Sequence, residues 1–283
     1  MARPIEEGRP AEQMSRGPFD TLRELHNRYQ FLMPISSEIL KYSPDLFWHQ
    51  TNVATGYIKL VDKLKDKVGS NYEALLLGVP GAFLHDIGKL GIEKTINKSL
   101  ETMAENSEEA KIKREQHTIV GSEMIKLLVT HKIIPKEIGE IAADVAKNHH
   151  RTDDNFKHSY PRTESLKGKD PTQVAREFLT ELIDTAIAML SIRSYRPLPL
   201  SIEEINKELA NRLSGHQILD FISPIFNNMP IDDLRGLLRN EVLAILPEIE
   251  DYINIKPTNE QLINLIGKTD TRLNLQNLFS LQV

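Results

Sequence analysis

Residues 82–92 read AFLHDIGKLGI. Ala82, Phe83 and Leu84 lead into the pair His85-Asp86, and Gly88 and Gly91 close the apolar run behind it. A carboxylate among such neighbours is costly to bury unless it is paired or binds a cation. Read alone, the pair also fits a helix end whose carboxylate is satisfied locally. The same puzzle recurs downstream in LIDTAIAML, residues 182–190, where the helical neighbours of Asp184 (Ile183, Ile187 and Leu190) are all apolar. Two isolated carboxylates in core-type helices call for a shared cation.

Histidines supply the other half of the argument. His149 and His150 close a periodic segment, and adjacent helical residues point about 100° apart, which suits flanking two cations. His117 stands mid-helix in KREQHTIVGSEMIK, residues 113–126, with Gly121 one turn later permitting close approach of another backbone. His49 follows Trp48 at the start of another helix. Taken singly, each histidine also reads as an ordinary packed or surface residue.

Outward from these points, apolar residues recur at three- and four-residue spacing and no run alternates as a strand would. The pattern predicts helices over 18–40, 46–67, 72–85, 108–130, 136–148, 171–191 and 202–213, with shorter ones following. Breakers fall at Pro34, Pro44, Gly69-Ser70, Pro135, Pro161 and the Pro197/Pro199 pair. The class is all-α. Residues 151–170 are polar and read as a long loop, a length that in compact domains is usually functional or disordered. Residues 1–17 mix Pro, Gly and charge and read as a flexible tail. Segments 231–253 and 259–266 are amphipathic without candidate catalytic groups. They read either as extra helices on the domain or as a dimerisation or regulatory appendage, so a homodimer stays open.

Composition narrows the chemistry. The 283 residues carry a net charge of −5, with 27% charged and 40% hydrophobic side chains. That is ordinary for a globular chain and argues against a nucleic-acid polymer or a membrane surface as partner. With no cysteine, disulfides and thiolate sites are excluded, so a transition metal must sit on histidine, carboxylate and water. No stretch approaches the roughly 18–20 apolar residues of a membrane span, and the N-terminus lacks an apolar signal core. A cytoplasmic location is expected.

In order, His49, His85-Asp86, His117, His149-His150 and Asp184 resemble the metal ligands of the HD-domain phosphohydrolases, more particularly the HD-GYP subfamily. HDIGK at 85–89 matches the central motif of that family letter for letter. INKSL with Lys98, HTIVG with His117 and Gly121, and RSYRPL with Arg193, Tyr195 and Arg196 at matching spacing extend the likeness. It covers about residues 47–228. There are departures. The HHExxDGxGYP signature of the family reads HHRTDDNFKHSYPR at 149–162, with Arg151 in place of Glu, no clear Asp-Gly, and SYP about two residues after the place of GYP. Ile187 replaces the second Asp of DxxDAL, and Ser194 the Pro of RPYR.

The resemblance implies an HD-domain helical bundle over 18–228 with a C-terminal helical extension at 229–283. It implies two divalent ions, iron or manganese being expected, bridged by Asp86 and completed by His49, His85, His117, His149, His150 and Asp184. Asp45, four residues before His49, matches a third-metal position in some members, and Ser43-Pro44-Asp45 equally reads as a helix cap. Lys89 would neutralise the attacked phosphate or assist the leaving oxygen. Lys98, Arg193 and Arg196 would clamp phosphate, and Tyr195 and Tyr160 either stack on a base or simply pack. The implied activity is a phosphodiesterase opening a cyclic dinucleotide, foremost cyclic di-GMP. The altered loop keeps open another nucleotide or phosphoester substrate, and a binding or scaffold module is the reading of another class.

Overall fold

Two long helices organise the molecule. In the computed structural model, which describes residues 18–91, 108–151, 168–192 and 198–253 together with positions 166, 258, 260, 261 and 263, every regular element described is helical. In chain order they are α1 (Pro18–Arg28), α2 (Leu32–Tyr42), α3 (Pro44–Val68), α4 (Tyr72–Leu76), α5 (Val79–Leu84), α6 (Glu108–Thr130), α7 (Lys136–Asn148), α8 (Pro171–Leu190), α9 (Ile202–Arg212), α10 (Gln217–Ile222) and α11 (Ile231–Ile253).

α3 and α8 form the centre, and both begin with strong start signals. The Ser43 hydroxyl accepts the Leu46 amide at 3.3 Å with Pro44 in the first turn. The Asp170 carboxylate accepts the amides of Thr172 and Gln173 at 3.1 and 3.3 Å, with Pro171 next. Each arrangement satisfies amides that a helix start leaves orphaned, and the proline lacks a hydrogen there was no acceptor for. The inward stripe of α3 is Phe47, Val53, Ala54, Tyr57, Leu60, Val61, Leu64 and Val68, all buried at helical spacing. α8 is buried along nearly its whole length. Gly56 is the notch where they meet: a Cβ there would lie 2.7 Å from Ile183 Cγ2 and 3.2 Å from Ile249 Cδ1 of α11.

The remaining helices pack around this pair. α1, α2, α4 and α5 lie against α3, while α4, α7, α9 and α10 lie against α8; α11 crosses both. α6 packs on α7 and on a 3-10 turn at Ile87–Leu90. Leu234, Leu238, Val242, Ile245, Leu246 and Ile249 of α11 belong to the same buried cluster as α3 and α8.

Two predicted helices are each divided. The stretch 18–40 breaks at 29–31, where Leu32 N–H donates to Tyr29 O at 2.8 Å in a tight turn. Pro34 is not the breaker; it sits in the first turn of α2, where an N–H would have had no intrahelical acceptor. The stretch 72–85 breaks after Leu76, and Pro80 falls in the first turn of α5. His85 therefore follows a short helix instead of ending a long one. The predicted tail 1–17, most of loop 151–170 and most of 259–266 lie outside the described residues. No helix among the described residues is long and apolar enough to cross a membrane.

Candidate metal centre

Asp86 is the hub. It leaves the helical basin (φ −102°, ψ 9°) as the chain passes from α5 into the 3-10 turn, a backbone region common among active-site residues. Its carboxylate is buried and faces two groups of donors, one per oxygen. Oδ2 lies 3.5 Å from His49 Nε2 and 3.4 Å from His85 Nε2. Oδ1 lies 3.2 Å from His117 Nε2 and 3.8 Å from His149 Nε2. Asp184 of α8 closes the first group, with Oδ1 2.9 Å from His49 Nε2 and 3.6 Å from His85 Nε2.

Ligand atoms of His49, His85 and Asp184 lie within 4.8 Å of one another, as do those of His117, His149 and His150. Helices α3, α5, α6, α7 and α8 thus each deliver or adjoin one part of the centre. His149 and His150 share a donor group with His117 and differ in what else each reaches. They stand in the turn just past α7, with ring centroids 4.1 Å apart, and both join His117. His149 also reaches the His85-Asp86 pair, and His150 reaches Glu181 and Asp184.

Backbone carbonyls set the tautomers. His85 Nδ1 donates to Ala82 O at 2.8 Å and His149 Nδ1 to Ala146 O at 2.9 Å. A carbonyl can only accept, so each Nδ1 carries the hydrogen and Nε2 turns toward Asp86. Burial holds His149 down to about 3, reinforced by His85, and depresses His49 and His150 as well. These rings are therefore neutral donors. Burial also acts to depress His85, but the charges of Asp86 and Asp184 outweigh it and raise this imidazole to about 10. For Asp86, burial is overcome by Lys89 and His85; for Asp184, by His49 and His85; both carboxyls stay well below their ordinary range.

His85 Nε2 and Asp86 Oδ1 are buried without a hydrogen-bond partner; their neighbours stand at charge-pair distances. Orphaned buried polar atoms of this kind demand an explanation. The donor groups can hold a metal ion, and an all-nitrogen-and-oxygen set suits divalent first-row cations. Lys89 contacts Asp86 Oδ2, and its side chain is 40% exposed, so it stands between the buried hub and solvent.

The other sequence candidates fall elsewhere. Asp45 is exposed in the first turn of α3 and joins none of the donor groups found among the described residues. There its charge favours the helix dipole, while Ser43 makes the cap. Lys98, Tyr160, Arg193, Tyr195 and Arg196 lie outside the described residues.

Sequence reasoning missed Glu181, which is fully buried and accepts from His150 Nδ1 at 3.1 Å. Its signal was available: it precedes Asp184 by three residues and so shares its helix face. Arg151 turns inward, pairing with Glu177 at 3.3 Å and with Asn148 Oδ1. Asn148 and Gln173 also donate to Glu177. Burial raises Glu177 to about 7 despite Arg151.

No protein-family model matches the chain, and neither the curated proteins nor the solved structures contain a match to it.

Proposed function

We propose that this protein is a metal-dependent phosphohydrolase, and specifically a phosphodiesterase acting on a cyclic dinucleotide, with cyclic di-GMP the first substrate to test. One observation carries the reading: a buried aspartate offers one oxygen to each of two adjoining histidine groups, with a lysine at its mouth. The resemblance of HDIGK and of the ligand order to HD-GYP phosphohydrolases supports it.

His49, His85, Asp86 and Asp184 would hold one divalent cation, and Asp86, His117, His149 and His150 a second. Such ions supply Lewis-acid polarisation of a phosphoryl oxygen and acidify water. The protein's part is to fix positions. Asp86 ties the two donor groups together, and the carbonyls of Ala82 and Ala146 fix the Nδ1 hydrogens of two imidazoles so that each Nε2 is turned toward the centre. Lys89 brings an ammonium to the solvent side of Asp86, where it would offset charge on the attacked phosphoryl group or the departing oxygen. No cysteine is present to act as nucleophile.

Arg151 favours a second reading in which the substrate is another nucleotide or phosphoester. It stands where the HD-GYP signature has Glu, and it is committed to Glu177. The test is hydrolysis of cyclic di-GMP, mixed cyclic dinucleotides, linear dinucleotides and phosphomonoesters, with Mn²⁺ or Fe²⁺ supplied and Asp86→Asn as control. Turnover of a cyclic dinucleotide that disappears in the variant is expected. Activity confined to phosphomonoesters would leave only the broader phosphohydrolase, and none on any phosphoester by a fully metallated chain would reject the enzyme.

A further inference from the structure

His150 differs from its buried neighbours in what stands behind it. His85 and His149 give their Nδ1 hydrogens to neutral carbonyls. His150 Nδ1 lies 3.1 Å from Glu181 Oε2. A carboxylate in this position can only accept, so the hydrogen is on Nδ1 and the lone pair of the ring is on Nε2. The other oxygen of Glu181 accepts from Thr185 Oγ1 at 3.2 Å and pairs with the guanidinium of Arg212 from α9.

Glu181 belongs to a third donor group with His150 and Asp184, so a direct role on a cation has to be weighed. Arg212 decides the matter. Its oxygens are already engaged, Oε1 of Glu181 by Arg212 and Thr185 and Oε2 by His150. Glu181 therefore acts through His150.

We propose that Glu181 is the positioning residue of the second donor group: it fixes the tautomer and ring orientation of His150 and strengthens Nε2 as a donor, with Arg212 and Thr185 holding it in place. The inference rests on the two-cation reading above. A hydrogen shared with an anion leaves more electron density on the far nitrogen than one shared with a carbonyl, and such outer partners typically govern about 10–100-fold in metal affinity. α8 thus serves both groups, directly through Asp184 and at one remove through Glu181.

Two measurements test this. In the full-length wild-type chain, long-range ¹H–¹⁵N correlation should show His150 with hydrogen on Nδ1 and none on Nε2; the opposite tautomer overturns the proposal. In the second, metal-free chain is titrated with Mn²⁺ by calorimetry, with elemental analysis after dialysis. Wild type should take two ions. Glu181→Gln, which keeps shape and loses charge, should bind the first ion unchanged and the second about 10–100-fold more weakly. Should the loss of the Glu181 charge beside Arg212 prevent folding, the double variant Glu181→Gln, Arg212→Met removes both charges and should show the same selective loss. Fewer than two ions in wild type would overturn the two-cation reading and this inference with it. Two ions in wild type and unchanged affinities in the variant would overturn this inference alone, and so would equal weakening of both ions.

Discussion

Gly88 faces Gly121 across a gap that admits no side chain: a Cβ on Gly88 would lie 1.9 Å from the His117 carbonyl oxygen and 2.5 Å from the Gly121 amide nitrogen. This contact seats the turn after Asp86 on α6, one turn beyond His117, and so sets the 3.2 Å approach of His117 to Asp86. Backbone cannot yield as a side chain does. Gly88→Ala should cost at least the roughly 1–3 kcal/mol of an overpacked core and weaken metal binding with it. Gly121→Ala should be milder, since its Cβ would meet Gly88 N at 3.2 Å. Thermal melts of both variants check the order, and equal or reversed losses would reject the account.

Asp86 and Asp184 should fail differently. Asp86 serves both donor groups and Asp184 chiefly the one with His49 and His85. After reconstitution with Mn²⁺, Asp86→Asn should retain neither ion firmly, while Asp184→Asn should retain one. Elemental analysis decides, and an Asp86→Asn chain with two tightly held ions would sink the hub assignment.

Lys89→Ala should leave metal content intact and impair turnover. Losing a charge-assisted contact to the reacting group costs about 1.5–3 kcal/mol, roughly ten- to a hundredfold in rate. Kinetics equal to wild type on a substrate that wild type hydrolyses would remove Lys89 from the chemistry.

Away from the centre, His26 is buried with Nε2 2.8 Å from Ser36 Oγ, and burial lowers it to about 4. The folded state favours the neutral ring. Its contribution is therefore complete above the unfolded value of 6.5 and is lost as pH falls toward about 4. His26→Gln should flatten the decline of unfolding free energy over that window by up to about 3 kcal/mol. Denaturant titrations at several pH values measure it; parallel profiles for variant and wild type would rule it out.

Much of this was legible in the sequence, for identifiable reasons. Carboxylates at Asp86 and Asp184 stand out because their local neighbours are apolar, and α6, α7 and α11 each run unbroken over the span expected of them. The turn at 29–31 was hidden because Leu25, Tyr29 and Leu32 keep helical spacing straight through it. Glu181 was hidden because the charge that balances it, Arg212, is brought in only by the packing of α9 on α8. Arg151 read as a substitution within a loop motif, yet its side chain belongs to the interior through Glu177 on α8.

The notch at Gly56 brings α11 into direct contact with the two helices that carry His49 and Asp184. Lys59 of α3 is tied to Glu248 of α11 at 2.7 Å close to the same place. Segments joined this way open together rather than one by one. The amide hydrogens of α3, α8 and α11 should therefore exchange with solvent as a single slow block, and a chain cut after residue 228 should lose that protection on all of the remaining block, including the turn of α3 that bears His49.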